Sequence, residues 1–157
     1  MERRIDALDA GLLGLLAEQP RIGVLECSRR LGVARGTVQA RLDRLQQRGV
    51  IRGFGPDIDP SALGYEVTAF VTLEIRQGRG HQTVAAHLAR IPEVLELHTI
   101  TGQGDLLCRI VARSNTDLQR VIDQVVADED IHRSSTLIAL SAPIPYRVLP
   151  LVRHSAG

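Results

Sequence analysis

Seven arginines fall within residues 29–52: Arg29, Arg30, Arg35, Arg41, Arg44, Arg48 and Arg52, against a single acid, Asp43. That segment carries +6 on a chain whose formal net charge is +1, which leaves −5 for the remainder. All 19 basic side chains are arginine and none is lysine. Every cationic contact is therefore a planar guanidinium, able to pair hydrogen bonds with a phosphate or a guanine edge. Thr37 and Gln39 lie among these arginines and add a hydroxyl and an amide, which also suit base edges.

The other residue types that do chemistry are scattered. The five histidines, His81, His87, His98, His132 and His154, make no metal-ligand spacing with Cys, Asp or Glu. No phosphate-binding glycine loop, serine elbow or paired catalytic carboxylates are evident, so no cofactor, no metal and no catalytic residue is expected. Cys27 and Cys108 read as two buried thiols of a reducing compartment. The stretch 101–105, Thr-Gly-Gln-Gly-Asp, is on local pattern a glycine-rich hairpin loop. Its backbone N–H groups are also suited to a carboxylate. No run approaches the ~18–20 apolar residues of a membrane span, and the start of the chain lacks the apolar stretch of a signal peptide, so a cytoplasmic location is expected.

The elements that position these residues change character near residue 60. Before it the apolar period is helical. Leu8, Leu12, Leu15 and Leu16 mark one helix, opened by Asp6 or Asp9. Val24, Leu25 and Leu31 mark a second, ended by Gly32, and Val38, Leu42 and Leu45 mark a third, ended by Gly49. Residues 50–58 alternate between glycines and read as a small hairpin. Three helices and a hairpin describe a winged helix-turn-helix over residues 1–59.

Residues 60–66, with Pro60 and Gly64, are a connector. Residues 67–142 follow the order β-α-β-β-α-β, a ferredoxin-like unit, with Ser114 or Asn115 as cap of its second helix. The fold class is thus α+β: an N-terminal winged helix-turn-helix joined to a C-terminal ferredoxin-like βαββαβ domain. Phe70, Leu107 and Val111 fall on the sheet side opposite the main apolar rows, which points to a homodimer built through this domain. Residues 143–157, with three prolines, read as an extended tail.

With Val38, Leu42 and Leu45 turned inward, Gln39 and Arg44 face outward, and Arg35, Thr37, Arg41 and Arg48 flank them. Arg52 takes the place of a wing contact. These seven residues form the expected interface with double-stranded DNA, read by a dimer as an imperfect palindrome.

The segments "LD" at 8–9, Arg21, "LGVARGTVQARLDRLQQRGVIRGF", "DPSALGY", "TGQGDLL" and "IHRSST" together resemble the Lrp/AsnC family of transcription regulators, over about residues 5–142. The resemblance implies a small-molecule effector, commonly an amino acid, bound at the 101–105 loop between dimers, and dimers that assemble into octamers. On that basis Thr101, Gly102, Gln103, Gly104 and Asp105 are the candidate effector residues, joined by Ser134 and Thr136 of the last strand. The chain departs from the family at Ala34, where Ser is common, at Asp43, where a basic residue is common, and at Gly104, where an aromatic is common. An alternative is also implied: proteins of this two-domain layout that act as sirohaem decarboxylases, through His and Arg near a tetrapyrrole.

Overall fold

The computed structural model describes residues 5–76 and 80–157. Two compact units divide it, one of residues up to Pro56 together with Ile144–Gly157, the other Asp57–Pro143.

In the first unit, α1 (Ala7–Glu18), α2 (Val24–Leu31) and α3 (Arg35–Gln47) form the helix-turn-helix. Asp6 caps α1: its carboxylate accepts from the Asp9 N–H at 2.8 Å, and the Asp9 carboxylate accepts from the Asp6 N–H at 3.3 Å. This reciprocal box satisfies two donors that a helix start otherwise leaves unpaired. α2 ends at Gly32, whose φ of 66° is left-handed and so suits glycine. α3 starts from Ala34 without a side-chain cap. Leu12, Cys27, Val38 and Leu45 are fully buried and bind the three helices together, with Leu16, Ile22 and Leu42 packed around them. The inward face of α2 runs through Val24, Cys27, Ser28 and Leu31, so Leu25, expected on it, stays half exposed.

Two expectations for this unit do not hold. Residues 50–58 form no strand. The N–H groups of Val50 and Ile51 both donate to the Leu45 carbonyl, closing the end of α3 instead of entering a ladder. Pro56 has no N–H to offer, and Phe54 and Ile58 are exposed. The tail is not extended throughout either: residues Leu149–Ser155 form α6, which packs on α1, with Arg153 Nη2 3.7 Å from Glu18 Oε1.

In the second unit, β1 (Val67–Ile75), α4 (Gly80–Leu88), β2 (Val94–Thr99), β3 (Leu106–Ala112), α5 (Asn115–Val125) and β4 (Ile131–Ala139) follow the expected βαββαβ order. The strands form one antiparallel sheet, β2-β3-β1-β4, so β4 is an edge. Ala69, Val71, Leu73 and Ile75 of β1 join Cys108 and Ile110 of β3 in the core, against Val84 and Leu88 of α4 and Leu118, Val121 and Val125 of α5. Of the two expected caps, Ser114 is the one that caps α5, accepting from the Asp117 N–H.

The opposite sheet face carries Thr72 and Phe70 of β1, paired with Leu107 and Arg109 of β3 and with Ser135 and Leu137 of β4. Phe70 is 36% exposed and Leu137 67%, so part of this apolar face is bare on the single chain, while Val111 is buried.

Candidate nucleic-acid interface and ligand cavity

The recognition segment is less cationic in effect than its composition. Arg35, Thr37, Gln39, Arg48 and Arg52 are exposed. The Gln39 amide donates to Asp43 Oδ1 at 2.8 Å, one turn away, so the single acid of α3 is held by a neighbour on the same helix.

Arg41 and Arg44 behave otherwise. Arg41 Nη1 contacts Asp6 Oδ2 and lies 3.1 Å from Asp9 Oδ1, and Arg44 Nη2 lies 2.6 Å from Asp9 Oδ2. The Asp9 side chain is 0% exposed. A carboxylate removed from water must be paired and hydrogen-bonded, and Asp9 takes both arginines and the Asp6 N–H as partners. The Arg41 hydrogen bond, reinforced by the Asp9 N–H, holds the Asp6 carboxyl below its ordinary pKa. Arg44 is exposed, as a residue facing outward would be, but its guanidinium is also ion-paired at the start of α1, a contact not anticipated from the sequence. The cause is a pair of acids 32 to 38 residues upstream, which no helical period of α3 reveals.

In the second unit a cavity of about 880 Å³ opens where the 102–105 loop meets the ends of β1 and β4. Of the candidate effector residues, Gly102, Gln103, Gly104, Asp105 and Ser134 line it. Thr101 and Thr136 do not line it. Thr136 pairs with Val71 and thus shares the core-facing side of the sheet. β4 also lines the cavity with Arg133, Ser135 and Leu137, which pair with Glu74, Thr72 and Phe70. Glu74, Arg76 and His132 complete its charged wall and were not among the sequence candidates.

Asp105 is fixed by the backbone around it. Its N–H donates to the Leu73 carbonyl at 2.8 Å, and its Oδ2 accepts from the Ile75 N–H at 2.8 Å. Gly104 has a φ of 95°, and a Cβ there would sit 3.4 Å from both the Leu73 carbonyl oxygen and the Thr72 Cβ. A side chain at this position is strained and crowded. Glu74 is already matched, 3.5 Å from His132 Nε2 and 3.7 Å from Arg133 Nη1. Among the described residues no group of three or more His, Cys, Asp or Glu could hold a metal ion.

A helix-turn-helix followed by a ferredoxin-like sheet with a polar cavity at its end defines a DNA-binding regulator with a ligand domain. Residues 5–46 match the AsnC-type helix-turn-helix domain and residues 68–149 the Lrp/AsnC ligand binding domain. The chain is 31% identical over 147 residues to the regulatory protein AsnC of Escherichia coli K12, covering 93% of this chain and 97% of that one. The solved structure of E. coli AsnC superposes with a TM-score of 0.85 at 31% identity, over 93% of this chain and 99% of that one. The feast or famine regulatory protein from M. tuberculosis, complexed with L-methionine, superposes with a TM-score of 0.79 at 26% identity, over 90% and 96%. The chain belongs to the Lrp/AsnC family and is a transcriptional regulator of that type.

Proposed function

We propose that this regulator binds duplex DNA as a homodimer through the exposed side of α3, with Arg35, Thr37, Gln39, Arg48 and Arg52 meeting the DNA. Arg41 and Arg44 reach it from their ion-paired positions. Two recognition helices related by a twofold axis read an imperfect palindrome, with half-sites about 10 bp or a multiple apart. The observation that carries this reading is the exposed polar side of α3 within the matched helix-turn-helix domain.

An amino acid in the cavity beside Gly102–Asp105 modulates DNA affinity or assembly. Support comes from the relative solved with L-methionine and from the cavity itself, where Asp105 is positioned for an ammonium and the loop backbone for a carboxylate. The bare apolar side of the sheet, with Phe70 and Leu137, suits the dimer contact, and higher assembly to an octamer follows the family pattern. The protein acts in the cytoplasm as a regulator and not as an enzyme. The relatives that match nearly the whole chain are regulators, which disfavours the sirohaem decarboxylase alternative.

Footprinting of randomised duplexes tests the DNA reading. Protection with dyad symmetry is expected, and protection without it would falsify the dimer. Absorbance titration with a tetrapyrrole tests the alternative: no Soret-region band is expected, and a saturable one would restore the enzyme.

A further inference from the structure

The cavity's charge balance says more about its ligand than the presence of a loop does. Resting on the proposed effector site, we infer that the effector is an acidic amino acid, with its side-chain carboxylate read by Arg76. The wall contains two carboxylates. Glu74 is matched by His132 and Arg133, and Asp105 is turned to the Ile75 N–H through one oxygen. Arg76 therefore faces the cavity without a carboxylate partner among the described residues.

Both ends of a bound amino acid have partners that leave Arg76 available. A carboxylate accepts up to four hydrogen bonds, so Asp105, held in place by the Ile75 N–H, retains an oxygen for an ammonium. The N–H groups of Gly102, Gln103 and Gly104 make no backbone hydrogen bond among the described residues. They supply donors for the α-carboxylate, in a loop opened by left-handed φ values of 102° at Gly102 and 95° at Gly104.

The remaining wall is unsuited to an apolar side chain. Thr72, Ser134 and Ser135 present hydroxyls, and the apolar side chains are Leu137 and Ile75, of which Ile75 is buried in the core. An aliphatic or thioether side chain placed here would gain nothing from the exposed guanidinium and would find little apolar wall besides Leu137. A carboxylate of matching reach forms a charge-assisted, bidentate-capable pair with it. On this reading the ligand differs in side-chain chemistry from the L-methionine with which a relative was solved.

Calorimetry on the full chain with L-glutamate, L-aspartate, 2-oxoglutarate, L-methionine and L-leucine tests the inference. The acidic amino acids should bind, and Arg76→Gln should weaken them by about 10- to 100-fold, the worth of one charge-assisted hydrogen bond. Arg76→Glu should move the preference to basic amino acids, and because Arg76 is exposed, its far-UV circular dichroism should match the parent's. 2-Oxoglutarate, which lacks the ammonium, should bind more weakly than L-glutamate, and equal binding would overturn the amino-acid assignment. Tighter binding of L-methionine or L-leucine, or acidic binding indifferent to Arg76→Gln, overturns the side-chain reading and leaves the effector site standing. No binding from any of the five overturns both.

Discussion

Replacing Asp9 with alanine removes one carboxylate that touches two helices. In the native protein it accepts from the Asp6 N–H at 3.3 Å, from Arg41 at 3.1 Å and from Arg44 at 2.6 Å, with no exposure of its own. The capping bond is worth about 1 kcal/mol. Each bond to a charged group contributes about 1.5–3 kcal/mol where the partners are buried. The two guanidinium side chains are 25% and 44% exposed, however, and can turn to water once the acid is gone, so the lower end of that range applies. Asp9 itself no longer has to be desolvated, which offsets part of the loss. The balance is a destabilisation of about 2–3 kcal/mol, confined to the helix-turn-helix unit. Arg44→Ala leaves Asp9 paired to Arg41 and should cost about 1 kcal/mol. Because the residues touch, the double variant should be less destabilised than the sum. Urea unfolding followed by far-UV circular dichroism measures all three. A loss under about 0.5 kcal/mol for Asp9→Ala, within the range of ordinary surface substitutions, or strict additivity with Arg44→Ala, would refute the network.

Arg35 begins α3, where a cation opposes the helix dipole. Arg35→Ala should therefore leave stability unchanged or slightly higher, while weakening binding to every duplex alike and lowering the salt slope by about one unit. A loss at a single base position would instead make Arg35 a base reader. Cys108 is buried in the sheet, and burial pushes its thiol up to about 11. It should resist a disulfide reagent at pH 8 in the native protein and react on unfolding, and rapid native labelling at Cys108 contradicts the packing. Asp6 is held below its ordinary value of 3.8 by Arg41, so its contribution to stability is full above about pH 4 and is lost as the pH falls through the lowered value. The Tm gap between the parent and Asp6→Asn should close on acidification, and a gap that widens toward low pH reverses the sign.

How far residue patterns reached depended on the range of the contacts. The α3 period of Val38, Leu42 and Leu45, and the alternation Ala69, Val71, Leu73 and Ile75, are local and were legible, as was the βαββαβ order. The Arg44–Asp9 pair was not legible because Asp9 lies on another helix, 35 residues away. Ser134 lines the cavity and Thr136 does not, because alternation shows two faces of β4 but not how far along the strand the cavity reaches. That depends on the pairing with β1, where Thr136 lies opposite Val71 and Ser134 opposite Leu73, nearer the 102–105 loop. The tail's prolines suggested an extended run, yet Pro150 sits in the first turn of α6, where its missing N–H costs nothing. The 50–58 hairpin failed because Val50 and Ile51 spend their N–H groups on α3.

The central claim is that α3 reads duplex sequence. The direct measurement is the affinity ratio between a selected palindromic site and random duplex of equal length, at one moderate salt concentration, for the parent and for Gln39→Ala. A ratio of about 10³ or more is predicted for the parent. Gln39→Ala should lower it through loss at one base position in each half-site, with the affinity for random duplex unchanged. A ratio near one, or a Gln39→Ala protein that discriminates as well as the parent, would contradict recognition through this helix.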